Sequence, residues 1–133
     1  MTYKDLPVVA QRWYEEKAKT CFALFNVDWS VEQCSAFIAD QFNRPNQLLL
    51  VYEQDGKIAG ACGVQYTVDW LIPHPKVVNE WMWWGDTARV TVKLFQAMKA
   101  WGKHCQAEYI RYVLNRPGQS RTKCVEAYRW EVL

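Results

Sequence analysis

The fold is decided by residues 77–114, which read VVNEWMWWGDTARVTVKLFQAMKAWGKHCQAEYIRYVL. Residues 77–84 are rich in Val and Trp and predict a strand, and Gly85-Asp86-Thr87 breaks it and caps a helix. The apolar stripe of that helix is Val90, Leu94, Met98, Trp101 and Cys105. Because residues 109–114 return to a strand pattern, the unit predicts a right-handed crossover between parallel strands.

The elements around this unit follow from turn and capping signals. Asp5 and Pro7 start a first helix, and Ser30-Val31-Glu32-Gln33 is a capping box that starts a second. Residues 47–53 and 58–66 are two strands joined by Asp55-Gly56, a strong hairpin signal. Residues 120–127 predict a short helix and residues 128–133 a last strand. This order predicts an α/β (α+β) fold with a mixed, mostly antiparallel central sheet and helices on both faces.

Composition and cysteine spacing exclude several classes of protein. The chain has 133 residues, 50% hydrophobic and 23% charged, with net charge +2, which suits one domain spanning residues 1–133. No apolar run approaches the ~18 residues of a membrane span, so we expect no membrane partner. The five cysteines include no C-x-x-C pair and the two histidines lie far apart. We therefore expect reduced thiols, no metal and a cytoplasmic protein.

The chain holds eight tryptophans, three of them within residues 81–84. Helical periodicity assigns Trp13 and Trp101 to core stripes. Strand alternation predicts Trp81 and Trp83 on one face of their strand and Trp84 on the other. The last third is basic, and this favours either a phosphate partner, in a nucleotide or a nucleic acid, or a solvated helix face. The charged residues from position 111 to position 129 are Arg111, Arg116, Arg121, Lys123, Glu126 and Arg129.

Three segments carry a resemblance to a known fold. Residues 2–7 (TYKDLP) resemble the stub of a first strand with an Asp-Leu-Pro helix start, and residues 51–60 resemble a hairpin with an Asp-Gly-x-Ile-x-Gly turn. Residues 80–84, followed by residues 94–102, are similar to small proteins of tailed phages. Over most of the chain the ordered set resembles the GNAT N-acetyltransferases. The resemblance implies acetyl-CoA as cofactor, an amine acceptor, and the host cytoplasm for a phage-encoded protein.

The cofactor loop departs from the family pattern. GNAT enzymes bind the CoA pyrophosphate at the start of this helix through Arg/Gln-x-x-Gly-x-Gly/Ala, because glycines let the backbone approach phosphate closely. Residues 86–93 read DTARVTVK, without either glycine and with an added acid. We expect Trp84, Val90 and Val92 to fill the space that the glycines would leave. The cofactor-binding residues that the resemblance implies are Trp84, Arg89, Val90, Thr91, Lys93, Asn115, Ser120 and Arg121.

Two residues are candidates for the acid–base chemistry of acetyl transfer. The resemblance places the base on the strand before the cofactor helix, where Glu80 lies between aromatic residues that would raise its pKa. The other interpretation of Glu80 is an exposed carboxylate paired with a neighbouring Lys. Tyr128 follows the last predicted helix and is the candidate acid, or else the aromatic residue that packs there.

Two functions remain open. The first is an acyl-CoA-dependent N-acyltransferase, transferring acetyl to an amine, with an atypical cofactor loop. The second is a catalytically inactive GNAT-like phage protein that binds a protein or a nucleic acid through aromatic and basic side chains. The lost glycines favour the second function, while Glu80 and Tyr128 favour the first. Since only residues 129–133 remain for a last strand, we also expect a reduced fold or one completed as a homodimer.

Overall fold

The computed structural model describes residues 1–17, 29–68, 75–114 and 127–133, which form three helices and five strands. The helices are α1 (Leu6–Lys17), α2 (Val31–Gln41) and α3 (Ala88–His104). The strands are β1 (Gln47–Gln54), β2 (Lys57–Val68), β3 (Lys76–Gly85), β4 (Tyr109–Leu114) and β5 (Ala127–Val132). The helix expected over residues 120–127 falls almost wholly outside the described residues, as do Cys21 and Leu24 of the first helical stripe.

The five strands form one mixed sheet in the order β1-β2-β3-β4-β5. Only β3 and β4 are parallel, and the other neighbours are antiparallel. The parallel pair follows from α3, which crosses over the sheet between them as the sequence predicted. Helix α3 packs on one face of the sheet, and α1 and α2 pack on the other. The predicted sheet and the placement of helices on both faces are thus confirmed.

Local capping signals set most of the helix starts. Ser30 and Gln33 form the predicted capping box of α2, and the Thr87 side chain accepts a hydrogen bond from the N–H of Val90 at the start of α3. The predicted start of α1 at Asp5 is confirmed, since the helix begins at Leu6 and the carbonyl of Asp5 accepts a hydrogen bond from the N–H of Val9. The Asp5 carboxylate, which the sequence suggested as a cap, accepts hydrogen bonds from the N–H and hydroxyl of Thr2 instead.

The start of the chain also differs from the expected strand stub. Residues 1–5 contain no strand and run through a turn into α1. The ammonium group of Met1 donates a hydrogen bond to the carbonyl of Leu49, with N and O 3.1 Å apart. The first residues therefore contact the outer edge of β1 at one point without extending the sheet.

The β1–β2 hairpin has the geometry that Asp55-Gly56 predicts. Both residues have positive φ, 52° for Asp55 and 73° for Gly56, as a type I′ turn requires. The pairing passes from Tyr52 with Gly60 to Glu53 with Ile58, so Ala59 of β2 is an extra residue that forms a bulge just after the turn. The hairpin is confirmed, and it places β1 at the edge of the sheet.

A bulge in β3 overturns the predicted faces of the tryptophans. Val64 of β2 pairs with Glu80 while the preceding Gly63 pairs with Met82, so Trp81 is an extra residue. Beyond the bulge the alternation is reversed. Trp81, Met82 and Trp84 all pack against α1 and α2, whereas Trp83 packs beneath α3. Strict alternation was wrong because it assumes that no residue is inserted.

Each face of the sheet has its own apolar core. Under α3, the predicted stripe is largely confirmed: Val90, Leu94 and Met98 are buried and Trp101 is half-buried. On the opposite face Trp13 is buried, and it contacts the rings of Trp29, Phe37 and Trp81. The cysteines of the described residues are all free: Cys34 and Cys62 are buried and Cys105 is half-buried.

Two kinds of feature are absent from the described ranges, a membrane-spanning helix and a cluster of metal ligands. None of the helices there combines the length and the apolar character that crossing a bilayer requires. The same ranges bring together no group of three or more His, Cys, Asp or Glu side chains suited to a metal ion.

Candidate functional site

The sheet opens between β3 and β4. The parallel ladder between them is only three residues long and joins Val77–Asn79 of β3 to Tyr109–Arg111 of β4. Beyond that point β3 continues to Gly85 and β4 to Leu114, and within the described ranges each pairs only with its outer neighbour, β2 or β5. The result is a gap in the middle of the sheet with a main-chain edge on each side. Unpaired main-chain edges form hydrogen bonds with an extended ligand that carries amides.

Helix α3 begins where β3 ends, at the wide end of this gap. The N–H of Asp86 is held by the carbonyl of Ala59 at 2.8 Å, and the Thr87 hydroxyl accepts from the N–H of Val90 at 3.3 Å. Among the described residues, none accepts a hydrogen bond from the N–H of Ala88 or Arg89. These donors and the positive end of the helix dipole favour an anion at this place.

The bulky residues that replace the family glycines do not share one space. Val90 is 1% exposed and packs onto the sheet, where a Cβ on Gly60 would lie 2.5 Å from its Cγ1. Val92 is 52% exposed on the far side of α3, and Trp84 is buried on the opposite face of the sheet. The prediction that these three fill one space was wrong, because helix and strand periodicity direct them to different sides.

A glycine that permits close approach does occur, one residue outside the family loop. A Cβ on Gly85 would lie 2.6 Å from Oγ1 of Thr91 and 2.8 Å from its backbone N. The Thr91 hydroxyl donates a hydrogen bond to the carbonyl of Thr87. Gly85 thus lets the end of β3 pack directly against the first turn of α3.

The negative charge of Asp86 is neutralised by a residue of α1. Nη2 of Arg12 lies 2.6 Å from Oδ1 of Asp86, and its guanidinium lies 4.7 Å above the Trp84 ring. Both side chains of the ion pair are about two-fifths exposed, at 37% and 41%. Sequence reasoning missed Arg12, since 74 residues separate it from Asp86 and no local motif marks it.

The candidate base Glu80 lies on β3 where the gap begins. It pairs with Val64 in the sheet, so its side chain is on the α3 face, and it is half-buried. Burial, and secondarily the charge of Glu80, raise the pKa of the nearby Cys62 thiol to about 12. Cys62 is therefore a neutral core side chain at physiological pH and is unsuited to act as a nucleophile.

Tyr112 of β4 is a candidate site residue across the gap from Glu80, and no motif in the sequence marks it. Val78 and Ile110 are neighbours in the parallel ladder, and both belong to the core beneath α3. Two residues further along each strand, Glu80 and Tyr112 occupy the next positions on the same face. The alternation of Ile110 and Tyr112 was visible in the sequence, but the register that joins β3 to β4 was not.

The other predicted site residues fall in several places. Arg89 and Lys93 are exposed, one turn apart on α3, and Thr91 is half-buried. The backbone of Tyr128 lies in β5, paired with Val113. Asn115, Ser120 and Arg121 lie outside the described residues. Trp84 contacts Arg12 on the face away from α3.

Comparison with known proteins gives matches in structure and none in sequence. No protein-family model and no curated protein matches the sequence. A predicted acetyltransferase from Clostridium acetobutylicum, solved with acetyl-CoA, has a TM-score of 0.67 at 7% identity and covers 92% of this chain and 83% of its own. A ribosomal-protein-alanine N-acetyltransferase from Brucella melitensis has a TM-score of 0.61 at 16% identity, over 86% of this chain and 72% of its own.

A third similar structure is a transcriptional regulator from Bacillus halodurans C-125, with a TM-score of 0.67 at 11% identity. It covers 87% of this chain and 79% of its own. At such identities the likeness concerns the fold. The mixed sheet, the single parallel pair and the helices on both faces are thus those of the GNAT acetyltransferases, and the chain has the GNAT fold.

Proposed function

We propose that this protein is an N-acetyltransferase that uses acetyl-CoA as the acetyl donor and an amine as the acceptor. The observation that carries the proposal is the gap between β3 and β4, together with a helix N-terminus at its wide end. The structural neighbours support it, since several are acetyltransferases and one was solved with acetyl-CoA.

The residues around the gap fit such a donor in two respects. The pantetheine arm of CoA is extended and carries amides, which suits the main-chain edges of β3 and β4. Its phosphates suit the N–H groups of Ala88 and Arg89, with the exposed cations of Arg89 and Lys93 beside them. The ion pair of Arg12 with Asp86 removes the charge repulsion that the sequence suggested. When bound, acetyl-CoA supplies an acetyl group activated as a thioester.

In this proposal Glu80 accepts the proton that the acceptor amine must lose before it can attack. Its position supports the role, because it lies on β3 at the first residue beyond the last β3–β4 pair. Its side chain is half-buried on the α3 face, where it lies near the Cys62 thiol.

Acetyl-CoA binding tests the proposal by thermal shift and calorimetry. A ligand at a hundred times its dissociation constant stabilises the fold by about 2.7 kcal/mol. We expect Arg89→Glu and Lys93→Glu to weaken binding, while Lys103→Glu, equally exposed but in the last turn of α3, leaves it unchanged. The absence of any shift at millimolar acetyl-CoA would contradict the proposal.

Transfer itself is tested with an amine panel and Glu80→Gln. We expect this variant to bind acetyl-CoA as the unchanged protein does, and to lose transfer. The second candidate function, a binding module without catalysis, is favoured by the absence of both loop glycines at residues 86–93. Acetyl-CoA binding without transfer to any amine of the panel would favour that function.

A further inference from the structure

We propose that the outer edge of β1 pairs with the same edge of a second copy of this chain, so that two sheets join into one and the protein is a homodimer. The proposal does not depend on acetyl transfer. The sequence left open a reduced fold or a homodimer, because little chain remains for a last strand. The proposed interface lies at the other side of the sheet, in β1 (Gln47–Gln54).

The hydrogen bonds of β1 show which of its main-chain groups face outward. The carbonyl of Asn46, just before the strand, accepts a hydrogen bond from the N–H of Tyr66 in β2. Successive residues of an antiparallel strand direct these groups to alternate sides, so those of Leu49 and Val51 point away from β2. The bond from the Met1 ammonium to the Leu49 carbonyl agrees with this direction. Within the described ranges, the N–H of Leu49 and both main-chain groups of Val51 have no hydrogen-bond partner.

This edge lacks the charges and prolines that keep strand edges from pairing. Residues 48–52 read LLLVY, with neither a charged residue nor a proline. Each residue from Gln47 to Tyr52 is half-buried, whereas residues 59–64 of the neighbouring β2 are all buried. An uncharged, apolar strand with open main-chain groups is a template for a further strand.

An exposed aromatic pair lies beside the edge. Tyr3 is 60% exposed, and its ring centroid is 4.5 Å from that of Phe42, the residue that ends α2. Met1 contacts the Leu49 carbonyl, and two residues of chain span at most about 7 Å, so Tyr3 lies close to the open groups of β1. Tyrosine is enriched in protein interfaces, because its ring is apolar while its hydroxyl tolerates water.

The distribution of charge favours a second copy of the chain as the occupant. The exposed Arg44 precedes β1, and the exposed Glu53 and Asp55 lie where β1 ends. When two copies of β1 pair antiparallel about Leu50, the start of each strand lies beside the end of the other. Arg44 of each copy then lies near the carboxylates of the other, and no like charges meet between the strands.

This register also satisfies the open main-chain groups. Leu49 of one copy faces Val51 of the other, and their outward N–H and carbonyl groups bond to one another. The Leu49 carbonyl has two lone pairs, so it accepts this bond either beside the one from Met1 or in its place. Because Met1 contacts β1 one residue from the axis at Leu50, the two Tyr3 side chains lie near the axis on the same face of the joined sheet.

Size-exclusion chromatography with light scattering tests the proposal on the whole chain. At about 100 µM, above the micromolar dissociation constants of weak specific interfaces, we expect the unchanged protein to be a dimer. Tyr3→Glu places two like charges near the axis and should raise the dissociation constant by about tenfold or more. Val132→Glu is the matched control, because Val132 is 73% exposed on β5, at the other side of the sheet, and it should leave the dimer intact. Circular dichroism checks that both variants are folded.

Two further measurements identify the edge that pairs. Glu53→Lys should also weaken the dimer, because it brings a second cation near Arg44, and the double variant Arg44→Glu/Glu53→Lys should restore it. The amide protons of Leu49 and Val51, followed by NMR, should exchange slowly in the unchanged protein and rapidly in Tyr3→Glu.

Three results would each overturn the proposal. The first is an unchanged protein that is monomeric at about 100 µM. The second is a dimer that survives both Tyr3→Glu and Glu53→Lys, or that Val132→Glu dissociates, since its interface would lie elsewhere. The third is a dimer in which the amides of Leu49 and Val51 exchange as rapidly as they do in a monomeric variant.

Discussion

The bulge at Trp81 decides which residues of β3 face α3, and Gly63→Ala tests it directly. Gly63 lies beneath the Trp81 indole, and a Cβ added there would be 2.3 Å from Cζ2 and 2.5 Å from Cε2. Carbon atoms pack at about 3.5 Å or more, so the indole must retreat by about 1.2 Å. Such a retreat is opposed by its contacts, since the ring centroid is 5.3 Å from that of Phe37 and 5.7 Å from that of Trp13.

The expected loss of stability follows from these contacts. Overpacking a core costs about 1–3 kcal/mol, and disturbed aromatic pairs cost about 0.5–1.5 kcal/mol more. Replacing a glycine within a strand by alanine raises the free energy of unfolding by about 0.5–1 kcal/mol, which offsets part of this loss. We therefore expect Gly63→Ala to lower the free energy of unfolding by about 2 kcal/mol. For a chain of 133 residues this corresponds to a fall in Tm of about 7 °C.

Calorimetry or circular dichroism measures this shift, with Gly102→Ala as the matched control. A Cβ on Gly102 would meet first the end of the flexible Leu133 side chain, at 2.7 Å, and alanine favours the helix. That variant should stay within about 1 kcal/mol of the unchanged protein. The double variant Gly63→Ala/Trp81→Leu should show a coupling energy close to the loss in Gly63→Ala. An unchanged Tm in Gly63→Ala would refute the bulge and the faces assigned to Glu80 and Trp83.

Three further predictions concern the start of α3 and the core beneath it. Arg12→Met should lower stability by about 1 kcal/mol, through loss of its partly exposed ion pair and its stacking on tryptophan, and should weaken acetyl-CoA binding. Asp86→Asn should instead strengthen that binding, and calorimetric titration of the two variants compares them. Thr87→Ala should lower the free energy of unfolding, measured with urea, by about 1 kcal/mol, because it removes the side chain that caps α3. An unchanged urea midpoint would show that this cap does not stabilise the helix. Because the pKa of Cys62 is raised from 9.0 to about 12, its contribution to stability is complete below pH 9 and is lost as pH rises towards 12. Between pH 8 and pH 10 the unchanged protein should lose about 1.4 kcal/mol more than Cys62→Ala, and parallel pH profiles would refute this.

Several elements could be predicted from the sequence because their signals are local. The Asp55-Gly56 turn needs only two residues with positive φ, and the Ser30 capping box only four consecutive residues. The stripe of α3 needs only the helical period, and it correctly predicted the burial of Val90. The same period also placed Val92 on the opposite side of the helix. The hypothesis that both residues fill one space therefore conflicted with information already present in the sequence.

Only the tertiary structure decided the composition of the candidate site. The faces of Trp81 and Trp83 depend on one inserted residue, which is defined only by the pairing of β3 with β2. The ion pair of Arg12 with Asp86 depends on how α1 lies across the end of β3. In the same way, the juxtaposition of Glu80 and Tyr112 depends on the register of a three-residue parallel ladder.

The sequence by itself determined the order of the described elements, the hairpin and the starts of the helices, and it indicated Glu80 as a candidate base, which stays a prediction. Helical periods and turn signals depend only on residues close together in the sequence, so they can be recognised without the rest of the chain. The tertiary structure alone determined the gap between β3 and β4 and the side chains that surround it. The reason is that these groups meet through strand register and helix packing, which join residues that are distant in the sequence and are set by the core as a whole.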